Sequence, residues 1–302
     1  GDDANEHAIR MARLHTGKTK VLSAYRSYHG GTHLAVNVTG DPRRFPSDTA
    51  STGTVHFMPC YPYRSYFHAE TEEQEVQRAL EHLEQTIVLE GPETIAGFFA
   101  EPVQGAGGVI PPSDGYFQAV VPILRKYGIP VISDEVITGF GRTGRMFGCE
   151  TFGIRPDILT MSKQITSSYF PFSAFTLNER VYEPIADESS RIGTLGHGFT
   201  GAAHPVGAAV ALENLRIIEE RDRGTAVIII STELDEALEL GDRIAVMYRG
   251  RIVGIVDVAQ EGGPVDRDML GLMMAGVPLD EARAQAAVHH SVLGRADIEE
   301  EA

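Results

Sequence analysis

Apolar positions along this chain switch repeatedly between strand and helix spacing. Residues 3 to 14 place Ile9, Met11 and Leu14 on one side of a helix, and Lys20 to Tyr25 reads as a short strand that runs out at Tyr28-His29. The stretch from Gly40 to Tyr66, rich in Pro, Ser, Thr and aromatics, reads as a long excursion of the kind that lines sites or interfaces. An amphipathic helix is expected over Thr71 to Leu89, with Val76, Leu80, Leu83 and Ile87 on one stripe. Strands then follow at Ile95 to Phe99, Pro130 to Ser133 and Ile158 to Met161, with a helix from Gly115 to Tyr127 and another from Ala202 to Glu220. Alternation of this kind predicts a mainly parallel sheet covered by helices, with ligand groups at the carboxyl ends of its strands. Beyond residue 222 the rhythm changes: a strand at Thr225 to Ser231, a helix at Glu233 to Leu240, and two strands, Arg243 to Tyr248 and Arg251 to Val256, around a turn at Gly250.

Composition narrows the class. The 302 residues are 42% hydrophobic and 23% charged, the profile of a water-soluble globular chain with ample length for a core. A net charge of -16 excludes nucleic acid and anionic membrane as expected partners, since both ask for a basic patch. Asp297 to Glu301 reads as a solvated acidic tail. Two cysteines, Cys60 and Cys149, make no disulfide framework, so a reducing cytoplasm is expected, and no apolar run is long enough for direct membrane insertion.

The candidate chemistry sits at strand ends. Asp134 closes one buried apolar strand, and Lys163, 29 positions later, follows a second. Pyridoxal phosphate chemistry needs this pair: a lysine amine to attach the cofactor aldehyde, and a carboxylate to hold a proton on its pyridine nitrogen. Two plainer readings compete, a surface lysine and a strand-end carboxylate or helix cap. His29 and His33 stand four apart, but Gly30-Gly31 interrupts a helix between them and no third ligand is evident, so no metal site is expected. The two GxGxxG runs, 139–144 and 196–201, lack the strand-to-helix setting of a dinucleotide loop. Gly17-Lys18-Thr19 has alanine, Ala12, where a phosphate-binding loop needs its first glycine, so ATP hydrolysis has no place to occur.

Five blocks share a resemblance. Tyr28-His29-Gly30-Gly31, Glu101-Pro102-Val103-Gln104-Gly105, Asp134-Glu135-Val136 running on to Gly144, Ser162-Lys163-Gln164 and His197-Gly198-Phe199-Thr200 resemble, in order, the class III (omega-type) aminotransferases. The resemblance implies an α/β chain: the large domain of a fold type I pyridoxal phosphate-dependent transferase, spanning residues 1–221. It implies transamination between an amine or omega-amino acid and a keto acid such as pyruvate, in a homodimer with shared active sites. Lys163 is then the cofactor-attaching lysine and proton shuttle, and Asp134 the partner of the pyridine nitrogen. Tyr28 is the ring-stacking aromatic, with His29 beside it, and Val136 packs under the ring. Glu101 either orders the substrate side or is a simple strand-end carboxylate. Gly1 and Asp2 resemble the glycine-led phosphate loop ahead of a helix, although Asp2 is acidic where relatives carry Ser, Thr or Ala. Thr200 resembles the threonine that reaches the phosphate of the partner subunit's cofactor. Against this pattern the chain is expected to be cut at its N-terminus and to lack the small domain that supplies a substrate-binding arginine, which would impair activity.

The remaining residues, 222–302, read as a small C-terminal α/β fragment of a different kind. Ser231 to Glu236, Asp242 to Gly250 and Gly271 to Gly276 resemble the end of the ATP-binding subunit of sugar- or nucleoside-type ABC importers. The expectation is therefore a chimera, with an importer ATPase fragment or an inactive fusion product as the alternative functions.

Overall fold

The computed structural model describes residues 1–49, 53–195, 197–221, 238, 243–258 and 265–287. The chain divides into two compact units, Gly1–Thr225 and Ala226–Ala302.

The first unit is built on a six-stranded sheet of order β2-β1-β3-β4-β5-β6. Its strands are β1 (Lys20–Ala24), β2 (Thr54–Phe57), β3 (Ile95–Ala100), β4 (Val131–Asp134), β5 (Ile158–Met161) and β6 (Ala174–Leu177). The first five run parallel and β6 pairs antiparallel with β5. All residues of β3, β4 and β5 are buried, as expected of strands covered on both faces. One face carries Phe98, Val131, Leu159 and the helices α3 (Glu72–Glu90) and α4 (Tyr116–Lys126). The other carries Phe99, Ile132 and Ile158 against α1 (Asp2–Thr16) and α6 (Glu179–Ile192).

Three differences from the sequence reading have physical causes. The inward face of α1 is made by small residues, Ala4, Ala8 and Ala12, with Ile9 and Met11, while Leu14 is exposed. Alanines at four-residue spacing let the helix axis approach the sheet closely, a criterion that hydrophobicity alone does not rank. On α3 the buried line is Glu75, Ala79, Leu83 and Ile87, so Val76 and Leu80 flank the stripe. Glu75 is tolerated there because Tyr61 N–H (2.8 Å) and the Ser65 hydroxyl donate to its two oxygens. The long excursion after Gly40 contains the edge strand β2, and a short helix α2 (His33–Val38) precedes it. Both are too short for periodicity to reveal.

The loops after β4 and β5 are braced from inside the fold. Asp157, just before β5, accepts from Val131 N–H, Arg125, Arg180 and Asn178 at 2.7–2.8 Å. Glu135 is fully buried and accepts from Ser133 Oγ, Thr138 Oγ1, Gly148 N–H and Cys149 N–H at 2.5–3.1 Å. One carboxylate thus closes the loop 136–147 onto the short helix α5 (Gly148–Thr151). The helix α7 (Pro205–Arg221) completes the described part of this unit.

In the second unit, β7 (Arg243–Tyr248) and β8 (Arg251–Asp257) form an antiparallel hairpin. Its turn residues Arg249 and Gly250 both have positive φ, 47° and 76°, the two-residue geometry that matches strand twist. Ile244, Val246 and Val256 pack with Met269, Leu270 and Met273 of α8 (Arg267–Met274). The strand expected at 225–231, the helix at 233–240 apart from residue 238, and the acidic run 297–301 lie outside the described residues.

Candidate active site

Asp134 is the last residue of β4 and is almost wholly enclosed. Its Oδ1 accepts from Val136 N–H (3.0 Å), and its Oδ2 from Asn5 Nδ2 (3.0 Å) and His29 Nδ1 (2.7 Å). Burial by itself would raise the pKa of such a carboxyl. The hydrogen bond from His29 leads the opposing effects, with Val136 and Asn5 adding to it, and the group stays ionised below the usual aspartate value. Because an ionised carboxylate only accepts, the His29 proton facing it is on Nδ1. His29 Nε2 is consequently left buried and without a partner, its ring edge-on to Phe99 at 4.4 Å. Asn5 also donates to the His29 carbonyl (2.6 Å), so α1 and the loop after β1 are tied to the end of β4.

Lys163 stands one residue beyond the extended Ser162 that follows β5. Its backbone is left-handed, φ 46°, a conformation that costs a non-glycine residue roughly 1–3 kcal/mol and persists only where its surroundings impose it. Those surroundings are visible. Asn214 of α7 donates to the carbonyls of Gln164 (2.7 Å) and Ile165 (3.2 Å) and accepts from Ser167 Oγ (2.7 Å), while Ser162 Oγ donates to Phe172 O (3.0 Å). The Lys163 amine makes no hydrogen bond or ion pair among the described residues. Burial pushes its pKa below the usual lysine value, against the pull of Asp134 and then Glu101. A partly desolvated amine of this kind is the more easily made neutral and nucleophilic.

Glu101 follows β3 and accepts from Tyr28 N–H and Gly105 N–H, both at 3.0 Å. Burial raises its pKa. The Tyr28 ring has the Arg43 guanidinium 3.8 Å from its centre. Gly1 caps α1 and lies against Val136, where a Cβ on the glycine would stand 4.0 Å from Val136 Cγ1. Asp2 turns to the neighbouring loop, accepting from Gly31 N–H (3.0 Å) and pressing on Gly30. Gly30 has φ 139°, and a Cβ there would lie 2.6 Å from the Asp2 carboxylate, so only glycine fits.

Eight of the nine residues singled out from sequence therefore meet in one group at the carboxyl ends of β1, β3, β4 and β5. Thr200 does not join it. It is exposed in the turn at 200–203, in a segment linked to α1 through the close contact of His197 with His7 and the packing of Phe199 on His7 at 4.6 Å. Sequence reasoning missed Asn5, Glu135, Asn214 and Arg43. Asn5 left a signal, a polar residue on the inward face of α1, and so did Glu135, a charge inside a buried run. Asn214 left none. Among the described residues no group of three His, Cys, Asp or Glu side chains could hold a metal ion.

A mainly parallel sheet that brings a buried, low-pKa carboxylate and an amine unpaired among the described residues to neighbouring strand ends fits the class of pyridoxal phosphate-dependent transferases. Within that class it belongs to the class III aminotransferases, whose family model matches residues 1–260. The match runs through the hairpin β7–β8, well past the point near residue 220 where the family resemblance was expected to stop, and no comparison supports an importer-type tail. Gamma aminobutyrate transaminase 3 of Solanum lycopersicum, a chloroplastic protein, is 41% identical over 247 residues, 79% of this chain and 47% of its own length. The mitochondrial gamma-aminobutyrate transaminase 1 of Oryza sativa is 37% identical, covering 85% of this chain and 51% of its own. The omega transaminase of Pseudomonas jessenii in complex with PMP superposes with a TM-score of 0.71 at 47% identity, over 73% of this chain and 50% of that one. The chain thus spans about half the length of the relatives it matches. Members of the family depend on pyridoxal phosphate, and the chemistry found here fits that group. The carboxylate at Asp134 is held charged by its donors, and Lys163 offers an amine unengaged among the described residues.

Proposed function

We propose that this chain holds pyridoxal phosphate at the Asp134–Lys163 site and serves transamination between an amine or omega-amino acid and a keto acid such as pyruvate. The observation that carries the reading is the Lys163 amine, set in a strained turn and without a partner among the described residues, beside a carboxylate kept ionised by three N–H donors. The bound cofactor supplies an aldehyde for covalent attachment and an electron-withdrawing ring. Asp134 would hold the proton on the ring nitrogen, and His29, Asn5 and Val136 keep Asp134 charged for that task. Lys163 would anchor the cofactor through its amine and, once freed by substrate, would take and return the proton at the substrate Cα, a general acid–base role worth on the order of 10²–10⁴-fold. Tyr28 and Val136 would hold the ring, Glu101 would order the substrate side, and Gly1 and Asp2 in the first turn of α1 would bind the phosphate. Engagement of Asp2 by Gly31 N–H blunts its repulsion of that phosphate.

Thr200, exposed and apart from the group, is assigned to the phosphate of a second subunit's cofactor in a homodimer. Cys60 and Cys149 are both free and buried, which supports a reducing cytoplasmic setting. None of the helices among the described residues is long and apolar enough to cross a membrane. The importer-like reading of residues 223–276 rests on motif text alone and has no part in this proposal.

The deciding experiment adds pyridoxal phosphate to the purified chain, reduces with borohydride and maps the adduct by mass spectrometry. A pyridoxyl group on Lys163, lost in Lys163→Ala and kept in Lys126→Ala, is the expected result. An adduct mapped elsewhere, or none, overturns the assignment.

A further inference from the structure

Arg43 lies in the loop after α2, outside every block by which the family was identified, yet it belongs to the wall of the site. Its guanidinium carbon is 3.8 Å from the centre of the Tyr28 ring, and the Tyr28 N–H is bonded to Glu101. Arg43 is near enough to Glu101 and to Lys163 for their charges to be felt, so all three lie in the same neighbourhood.

The guanidinium is positioned from one edge only. Its Nε and Nη2 hold the carboxylate of Asp41, which is itself fixed by accepting from the Arg43 backbone N–H (2.8 Å) and by near-complete burial. Nη1 has no partner among the described residues, and 54% of the side chain is exposed. An arginine presents five N–H donors in a planar fork, and the edge formed by Nη1 and Nη2 is the one suited to a second carboxylate. Stacking on Tyr28 and pairing with Asp41 remove the rotamer freedom that a long side chain otherwise loses on binding. Asp41 offsets part of the charge, so the free edge confers preference through geometry more than through field strength.

We propose that Arg43 is the substrate-carboxylate receptor of this site, selecting carboxylate-bearing amines and keto acids over neutral amines. This rests on the transaminase reading above and names its substrate class. A cofactor phosphate is also an anion, so the test has to separate the two.

The test is isothermal titration of the whole chain with butyrate, with its neutral isostere butyramide and with inorganic phosphate, each before and after addition of pyridoxal phosphate. Arg43→Met is expected to weaken butyrate binding about tenfold to a hundredfold, the range of one charge-assisted pair. Arg43→Lys, which keeps the charge and loses the fork, should fall between Met and wild type. Butyramide binding and cofactor uptake should not change, and Arg216→Met on α7 should behave as wild type. Thermal melts of both Arg43 variants show whether they fold. Three outcomes overturn the proposal: butyrate bound equally by Arg43→Met and wild type, butyrate not bound by wild type, or phosphate as the ligand that Arg43→Met loses. If cofactor uptake fails in every variant, the transaminase reading falls, while the butyrate comparison still decides what Arg43 binds.

Discussion

Replacing Asp134 by asparagine removes one charge with almost no change of shape, and every group around the side chain is a donor. Val136 N–H reaches Oδ1, and Asn5 Nδ2 and His29 Nδ1 reach Oδ2. An asparagine can turn its oxygen to only one side. With the oxygen toward Asn5 and His29, its own NH₂ meets Val136 N–H, and at least one buried donor is orphaned at a cost of roughly 1–3 kcal/mol. That cost appears in the free chain as lower stability. The effect on cofactor is separate and larger. An ion pair at ~4 Å in an effective dielectric of ~20 is worth roughly 4 kcal/mol, or about a thousandfold in affinity. Titration with pyridoxal phosphate, followed by the cofactor's absorbance, should therefore show a dissociation constant about three decades weaker in Asp134→Asn. Denaturant melts should show the smaller loss. A dissociation constant within about threefold of wild type would refute the role given to Asp134, because a charge facing the ring nitrogen cannot be that cheap to remove.

Three more outcomes are expected. Glu135→Gln leaves an NH₂ among the four donors that close the loop 136–149, so it should cost roughly 1–3 kcal/mol and lower Tm by about 2–4 °C per kcal/mol, read by calorimetry. An unchanged Tm would mean the loop does not depend on that carboxylate. Asp157 is held below its usual pKa: burial raises it, and the bonds from Val131, Arg125 and Asn178 more than offset that. A depressed folded-state pKa means stability that is present above the unfolded value near 4 and lost as pH falls through the lower folded value. Asp157→Asn should accordingly flatten the acid limb of stability against pH below ~4, and an acid limb identical to wild type counts against the assignment. Burial, with Glu135 alongside, pushes the Cys149 thiol up to about 12, and burial pushes Cys60 up as well. Neither should label with iodoacetamide at pH 8 until the chain is denatured, as mass determination would show.

The sequence alone placed the candidate residues at strand ends. A fully buried parallel strand reads as an unbroken apolar run, so β3, β4 and β5 and the residues they deliver, Glu101, Asp134 and Lys163, were legible one after another. Helix spacing similarly exposed α1, α3, α4 and α7, although it ranked Leu14 above the alanines that face the sheet. Short elements escaped it, because α2, β2 and β6 are too brief to show a period and are held by neighbours distant in the chain.

Only the tertiary structure decided how the site is held. Asn5 and His29 reach Asp134 across 129 and 105 positions of sequence, and Asn214 clamps the Lys163 turn from 50 positions away. Strand order brings the ends of β1, β3, β4 and β5 side by side, and burial there raises the pKa of Glu101 and lowers that of Lys163, while donors led by His29 hold Asp134 low against burial. The stacking of Arg43 on Tyr28 arises in the same way, from two loops that meet in space. Local patterns record what one segment buries. They carry no information about which distant donor satisfies a buried acceptor, because that pairing is selected by the packing of the whole sheet and its helices.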